Sequence, residues 1–127
     1  MNKILLLISS YLDTLPVFRL SDYLQEALQY DYTYLSVCFS RQMGITIEKY
    51  LIREKIRRAI LLWQRKNYTL SEIAIQLNYK SVAHLSAQFK KVVGKTFSAF
   101  KEESRLIGGS EIFPDEFYKR PMNEKVC

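Results

Sequence analysis

This chain is short of the residues that make tight turns and cross-links. Four glycines and three prolines in 127 residues argue against sheets built on tight turns. Two cysteines, Cys38 and Cys127, do not make a disulfide framework and fit a reducing, cytoplasmic compartment. The single histidine, His84, leaves no His-based metal site without a partner, and no cofactor is expected. Long apolar runs are also missing. Ile4-Leu5-Leu6-Leu7-Ile8 is too short to span a membrane. It follows one Lys and leads into Ser9-Ser10-Tyr11, a poor signal peptide, so a first core helix fits better. No Gly-rich phosphate loop, carboxylate pair or Ser/His/Asp order stands out, so an enzyme is not expected.

What the chain does have is helical periodicity and basic charge. A hydrophobic share of 48% over 127 residues suits one compact domain or two small subdomains with separate cores. Most of the sequence follows a 3.6-residue pattern, so the fold class is all-α. The net charge of +6 is unevenly placed. Residues 1–40 carry −2, 41–66 carry +6, 67–79 carry −1, 80–101 carry +5 and 102–127 carry −2. Two basic blocks favour nucleic acid or an acidic surface, although a solvated lysine-rich face reads the same way.

The stretch LSEIAIQLNYKSVAHLSAQFKK, residues 70–91, holds two amphipathic helices. Ile73, Ala74 and Leu77 share one helical face; Val82, Leu85 and Phe89 share another. Between them, Asn78 tolerates the left-handed conformation that ends a helix, and Ser81 is a good N-cap for the next. Small Ala74 and the tight turn allow steep crossing, as in a helix-turn-helix unit. That hairpin suits plain helical packing as well as DNA binding.

The same unit occurs twice. Leu35, Ser36, Phe39, Arg41, Gly44, Thr46 and Tyr50 match Leu85, Ser86, Phe89, Lys91, Gly94, Thr96 and Phe100, all at an offset of 50. Seven matches in register mark an internal repeat. In each copy the Leu and Phe anchor the second helix, the Gly ends it, and the Thr caps the next. The first hairpin packs through Leu24 and Leu28 and caps its second helix with Asp31. Its turn is one residue shorter, since Leu28 to Leu35 spans 7 positions and Leu77 to Leu85 spans 8. Between the copies, neither Gly nor Pro interrupts residues 45–67. Ile47, Leu51, Ile56, Ala59, Ile60 and Trp63 give this stretch a helical stripe of roughly five turns. Such a linker should fix the spacing and rotation of the two hairpins.

Tyr50-Leu51-x-Arg53-x-Lys55-Ile56-x-Arg58-Ala59-x-x-Leu62, then Ser71-Glu72-Ile73-Ala74 and Phe89-Lys90-Lys91-x-x-Gly94-x-Thr96, resemble the DNA-binding domain of the AraC/XylS transcription regulators. The resemblance covers roughly residues 20–100. It implies two helix-turn-helix subdomains joined by a long linker helix, about seven helices in all. The expected layout is a first subdomain at 1–46, a linker helix at 47–66, a second subdomain at 67–107 and a tail at 108–127. The tail, broken from the last helix by Gly108-Gly109-Ser110, suits either disorder or a fold-back through Ile112, Phe113 and Phe117.

The resemblance further implies that recognition helices at 32–43 and 82–93 enter successive major-groove segments, about one DNA turn or roughly 34 Å apart. Base-facing positions would be Thr33, Ser36, Val37 and Ser40 in the first, and Val82, Ala83, His84, Ser86 and Ala87 in the second. Phosphates would meet Tyr34, Arg41, Ser81, Lys90, Lys91, Lys95 and, on the linker, Arg53, together with the N–H groups at the helix starts. The implied partners are double-stranded DNA and RNA polymerase, in the nucleoid, with no membrane partner. The separate sensor or dimerisation domain that such regulators often carry has no room in this chain. It is either a bare DNA-binding unit or the C-terminal part of something longer.

Several positions depart from the family pattern. Gln25 and Gln29 stand where small residues are frequent, which predicts a more open first hairpin. Asn78 replaces a Gly, and Phe97 a Pro. Val37 and Ala87 occupy positions where an Arg commonly reaches guanine, so bidentate reading of G is missing from both helices. Thymine methyls, hydroxyl contacts from Thr33, Ser36 and Ser86, and DNA shape would carry specificity, which predicts an A/T-leaning site. The same loss keeps open a protein-interaction module of this fold. An RNA-binding module is a more distant alternative, as aromatic-plus-Gly signatures are lacking. Cys38, beside Phe39, reads as a core filler rather than a redox sensor. His84 reads as either a DNA contact or an ordinary surface residue.

Overall fold

A computed structural model describes residues 2–106 of the chain. Among these residues there are seven helices and no strand: α1 Asn2–Thr14, α2 Leu20–Leu28, α3 Tyr32–Met43, α4 Ile47–Lys66, α5 Leu70–Gln76, α6 Val82–Val93 and α7 Phe97–Leu106. The expectations for 108–127, including the helix break at Gly108-Gly109-Ser110 and the fold-back through Ile112, Phe113 and Phe117, lie outside the described residues, as does Cys127. None of the described helices is long and apolar enough to cross a membrane. The helices pack as two compact units, residues 2–51 and 52–106, with the boundary inside α4.

In the first unit the apolar start folds as α1, which buries Ile4, Ile8 and Leu12, a strict four-residue stripe. They pack with Leu20 and Leu24 of α2, Leu35 and Phe39 of α3, and Ile47 at the start of α4. Phe39 is fully buried and meets the ring of Tyr50 edge-on, with centroids 5.5 Å apart. Leu28 packs against this core while partly exposed. Cys38 is a buried free thiol.

The second unit buries Ile56, Ala59 and Ile60 of α4 against Ile73, Ala74 and Leu77 around α5, Leu85 and Phe89 of α6, and Phe97 and Phe100 of α7. Aromatic edges tie it together. The Phe89 ring meets Phe97 at 5.2 Å and Phe100 at 5.6 Å, and Trp63 meets Phe97 at 6.0 Å and Phe100 at 6.1 Å. Each such pair adds about 0.5–1.5 kcal/mol beyond its area burial. Val82 is a correction to the predicted inner face: it remains 38% exposed. As the first residue of α6 it lies beyond the reach of the core that Leu85 and Phe89 enter.

The repeat is visible in the caps. Gly44 and Gly94 end α3 and α6 at φ of 76° and 89°, and their N–H groups donate to Ser40 O and Lys90 O at 2.9 and 2.8 Å. A side chain here would meet no neighbour, yet the backbone itself disfavours one. Two residues on, the Thr46 and Thr96 hydroxyls accept from Lys49 N at 3.1 Å and Ala99 N at 3.2 Å, which caps α4 and α7.

Candidate nucleic-acid interface

Each hairpin presents the second of its two helices, and the turn decides how. In the second unit, α5 opens with a capping box. The Thr69 hydroxyl accepts from Glu72 N at 3.2 Å, and the Glu72 carboxylate accepts from Thr69 N at 3.1 Å. After α5 the chain reverses through Asn78 at φ 59°, where Asn is well tolerated. The Ser81 hydroxyl then accepts from His84 N at 3.1 Å and starts α6.

In the first unit, Gln29 takes the left-handed position after α2 with φ 58°, and Asp31 caps α3 by accepting from Thr33 N at 2.9 Å. One residue separates Gln29 from Asp31, whereas two separate Asn78 from Ser81; this is the one-residue difference in turn length. Gln25 does not simply prop the turn open. Its side-chain carbonyl accepts from Tyr32 N at 2.8 Å, fastening the start of α3 to α2. The Gln29 side chain donates to Glu26 O at 2.7 Å, which offsets part of its backbone strain.

With Leu35, Cys38, Phe39 and Gln42 turned inward, the outer surface of α3 carries Thr33, Tyr34, Val37 and Arg41, with Ser36 and Ser40 partly exposed at its margins. On α6, Leu85 and Phe89 turn inward. Val82, Ala83, His84, Ala87, Lys90 and Lys91 are exposed, as is the cap Ser81, and Ser86 is partly exposed. The positions implied by the resemblance are thus gathered on one outer surface of each helix. Arg53 is on α4 and partly exposed. Lys95 follows α6 and is also partly exposed, but its ammonium is paired with the Glu103 carboxylate of α7. A phosphate would have to compete with that carboxylate.

Neither His84 nor Tyr34 stands alone. The His84 ring meets the Tyr79 ring edge-on at 5.2 Å, and Tyr34 packs on Tyr30 at 5.2 Å. Beneath His84 runs a network absent from the sequence reading. The Tyr79 hydroxyl donates to Gln88 Oε1 at 2.8 Å, and Lys55 Nζ of α4 stands 4.6 Å from the Tyr79 ring centre. Burial pushes the Tyr79 hydroxyl up to about 12 and pulls the Lys55 ammonium down, since each loses water around its charged form. In the first unit the Tyr32 hydroxyl donates to Glu48 Oε1 at 2.9 Å. Burial, then the bond to Glu48, push it up to about 12. These bonds tie α3 to α4 and α6 to the turn before it. In the sequence, only the aromatic residue at each turn, Tyr32 beside Asp31 and Tyr79 beside Asn78, could have hinted at this.

Comparison with known proteins agrees with this arrangement. A sequence profile described as a helix-turn-helix domain matches residues 24–103. The C-terminal domain of the two-component response regulator yesN from Fusobacterium nucleatum subsp. nucleatum is 30% identical. The match covers 79% of this chain and 95% of that one, with a TM-score of 0.65. The DNA-binding domain of the global transcriptional factor AdpA, solved in complex with a target DNA, is 18% identical over 83% of this chain and 95% of that one, with a TM-score of 0.68. An AraC-type transcriptional regulator from Chromobacterium violaceum is likewise 18% identical, over 85% and 96%, with a TM-score of 0.68. At that identity the last two speak to the fold alone. No curated protein matches the chain. On the profile match and the yesN relative, the chain belongs to the AraC/XylS family of helix-turn-helix DNA-binding domains.

Proposed function

We propose that this protein is a transcription regulator that binds double-stranded DNA sequence-selectively, with α3 and α6 entering successive major-groove segments. The observation that carries the reading is the outer surface of α6. Ser81, His84, Lys90 and Lys91 stand exposed on a helix whose opposite side is anchored by Leu85 and Phe89. Its capped N-terminus supplies backbone donors and positive dipole for phosphate, and its lysines neutralise the backbone without reading sequence. The α3 surface repeats the arrangement with Arg41 at its far end. Bound this way, the protein would act in the cytoplasm on nucleoid DNA and position RNA polymerase at its sites.

The test is affinity for duplex DNA against salt. Arg41, Arg53, Lys90, Lys91 and Lys95 at phosphates give a log–log slope of about −4 to −6, from about −0.9 per phosphate. A flat plot would sink the reading. The exposed apolar residues Val37 and Ala87, at positions where the family commonly has Arg, favour one second reading: an interaction module that has kept the fold and lost DNA. Absence of duplex binding even at low salt would support that reading.

A further inference from the structure

The two recognition helices share a frame and differ in chemistry. Tyr34, Val37 and Arg41 follow one another at intervals of three and four residues, which lines them up along one side of α3, and Tyr30, in the turn before that helix, continues the stripe by packing on Tyr34. At the repeat offset the same stripe in the second unit is Lys80, His84, Ala87 and Lys91. All eight are exposed. In the first unit Tyr30 is 58% exposed, Tyr34 43% and Val37 44%, and the two phenol rings pack together at 5.2 Å. The first stripe is therefore aromatic and aliphatic, with no charge until it reaches Arg41, and the second is cationic at both ends.

Apolar side chains on a groove-facing helix have one counterpart among the base edges. Of the features displayed in the major groove, only the thymine 5-methyl group is apolar. Lysines, by contrast, find phosphates and carry no sequence information. We infer that the two units divide the work. Val37 and Tyr34 of α3 read thymine methyl groups, while Lys80, Lys90 and Lys91 around α6 supply sequence-independent hold. The rise between Tyr34 and Val37 is about 4.5 Å, enough to cover one or two base steps. This assigns Tyr34 to base reading rather than to phosphate, and it rests on the proposal that α3 enters the groove.

The experiment uses the full chain and a duplex site selected from random DNA. Each thymine in the site is replaced singly by deoxyuridine, which removes the methyl group and nothing else. Burying one methyl-sized group corresponds to about 0.8 kcal/mol, or roughly fourfold in affinity. One or two positions should show that loss with the wild type. The loss should shrink to nothing at one of them in Val37→Ala or Tyr34→Ala, and stay unchanged in Lys90→Ala, which weakens every sequence alike. Wild-type binding that is indifferent to every deoxyuridine would overturn the inference and leave the DNA reading intact. Deoxyuridine effects that persist undiminished in both α3 variants would also overturn it. Failure to bind any duplex at low salt would overturn the DNA reading itself, and this inference with it.

Discussion

Lys55 Nζ stands 4.6 Å from the centre of the Tyr79 ring, so the linker helix and the turn of the second hairpin meet through a cation and an aromatic face. A charged amine and an aromatic face attract by about 0.5–1 kcal/mol at exposed sites and more when desolvated. Burial works against the charge, because it pulls the Lys55 ammonium down. The contact therefore holds Tyr79 in place at some electrostatic cost, and Tyr79 in turn supports Gln88 and His84 of α6.

This arrangement predicts a pH dependence of stability. The Tyr79 and Tyr32 hydroxyls are both pushed up to about 12 in the folded protein, against an ordinary value near 10. Between those values the folded state binds more protons than the unfolded one, so stability is complete below about pH 10 and is lost as pH rises towards 12. Lys55 has the opposite sign. Its lowered value means that stability rises with pH just below the ordinary lysine range. Thermal melts from pH 8 to 11.5 should fall steeply above 10 in wild type. Tyr79→Phe should weaken the second unit at neutral pH by about 0.5–1.5 kcal/mol through the lost bond to Gln88, and should flatten its alkaline decline. A decline as steep as in wild type would rule out Tyr79 as its source.

Two separate cores predict separable damage. Phe39 belongs to the first unit and Phe89 to the second, both with essentially no exposed surface. Phe39→Ala and Phe89→Ala should each cost roughly 3–5 kcal/mol by leaving a cavity. Hydrogen exchange should show protection lost mainly in 2–51 for the first variant and mainly in 52–106 for the second. Equal loss across the whole chain in both would mean that the units do not unfold independently.

How much of this was legible in the sequence depends on the range of each interaction. The α3 and α6 caps, the glycine ends and the anchors Leu85 and Phe89 depend on neighbours within a few residues, and local pattern exposes them. The Thr69–Glu72 capping box is equally local, a Thr three residues before a Glu at the start of an apolar helix. Val82 satisfied the helical spacing, but periodicity cannot say that the core stops one turn short of it. Gln25 to Tyr32, Tyr32 to Glu48, Lys55 to Tyr79 and Lys95 to Glu103 join different elements. No spacing rule announces such pairs, because they exist only after the helices have packed.

Backbone conformation gives a third prediction, with opposite signs at two kinds of position. Gly44 and Gly94 have positive φ, so Gly44→Ala or Gly94→Ala should cost about 1–2 kcal/mol, although no atom lies in the way of the methyl. Gln29 has φ 58° with a side chain that dislikes it. Gln29→Gly should stabilise the first unit by up to about 1 kcal/mol, less what is lost with its bond to Glu26 O and in chain entropy. Denaturant midpoints with unchanged slopes would check all three variants. A destabilised Gln29→Gly would show that its side-chain bond and the chain entropy of glycine together outweigh the backbone strain.

The last prediction concerns base reading by α6. Ala87 is exposed on the same stripe as Lys91, so Ala87→Arg should be accommodated without disturbing Leu85 or Phe89 and should leave the melting temperature nearly unchanged. Ser86→Ala should be similarly neutral. His84→Ala should not be, because the imidazole packs edge-on to Tyr79, and about 0.5–1.5 kcal/mol goes with such a ring pair. A change in DNA affinity for His84→Ala must therefore be judged beside its melting temperature, whereas Ala87→Arg can be judged directly. A guanidinium at this position can address O6 and N7 of guanine, and a good bidentate contact discriminates by roughly 1–3 kcal/mol. Site selection with wild type and Ala87→Arg in parallel should show one position moving towards G. Lys91→Ala should lower affinity for all sequences by about the same factor. If Ala87→Arg folds, binds and selects the same sequences as wild type, α6 does not present this side to the bases, and the linker or α3 must make the contact instead.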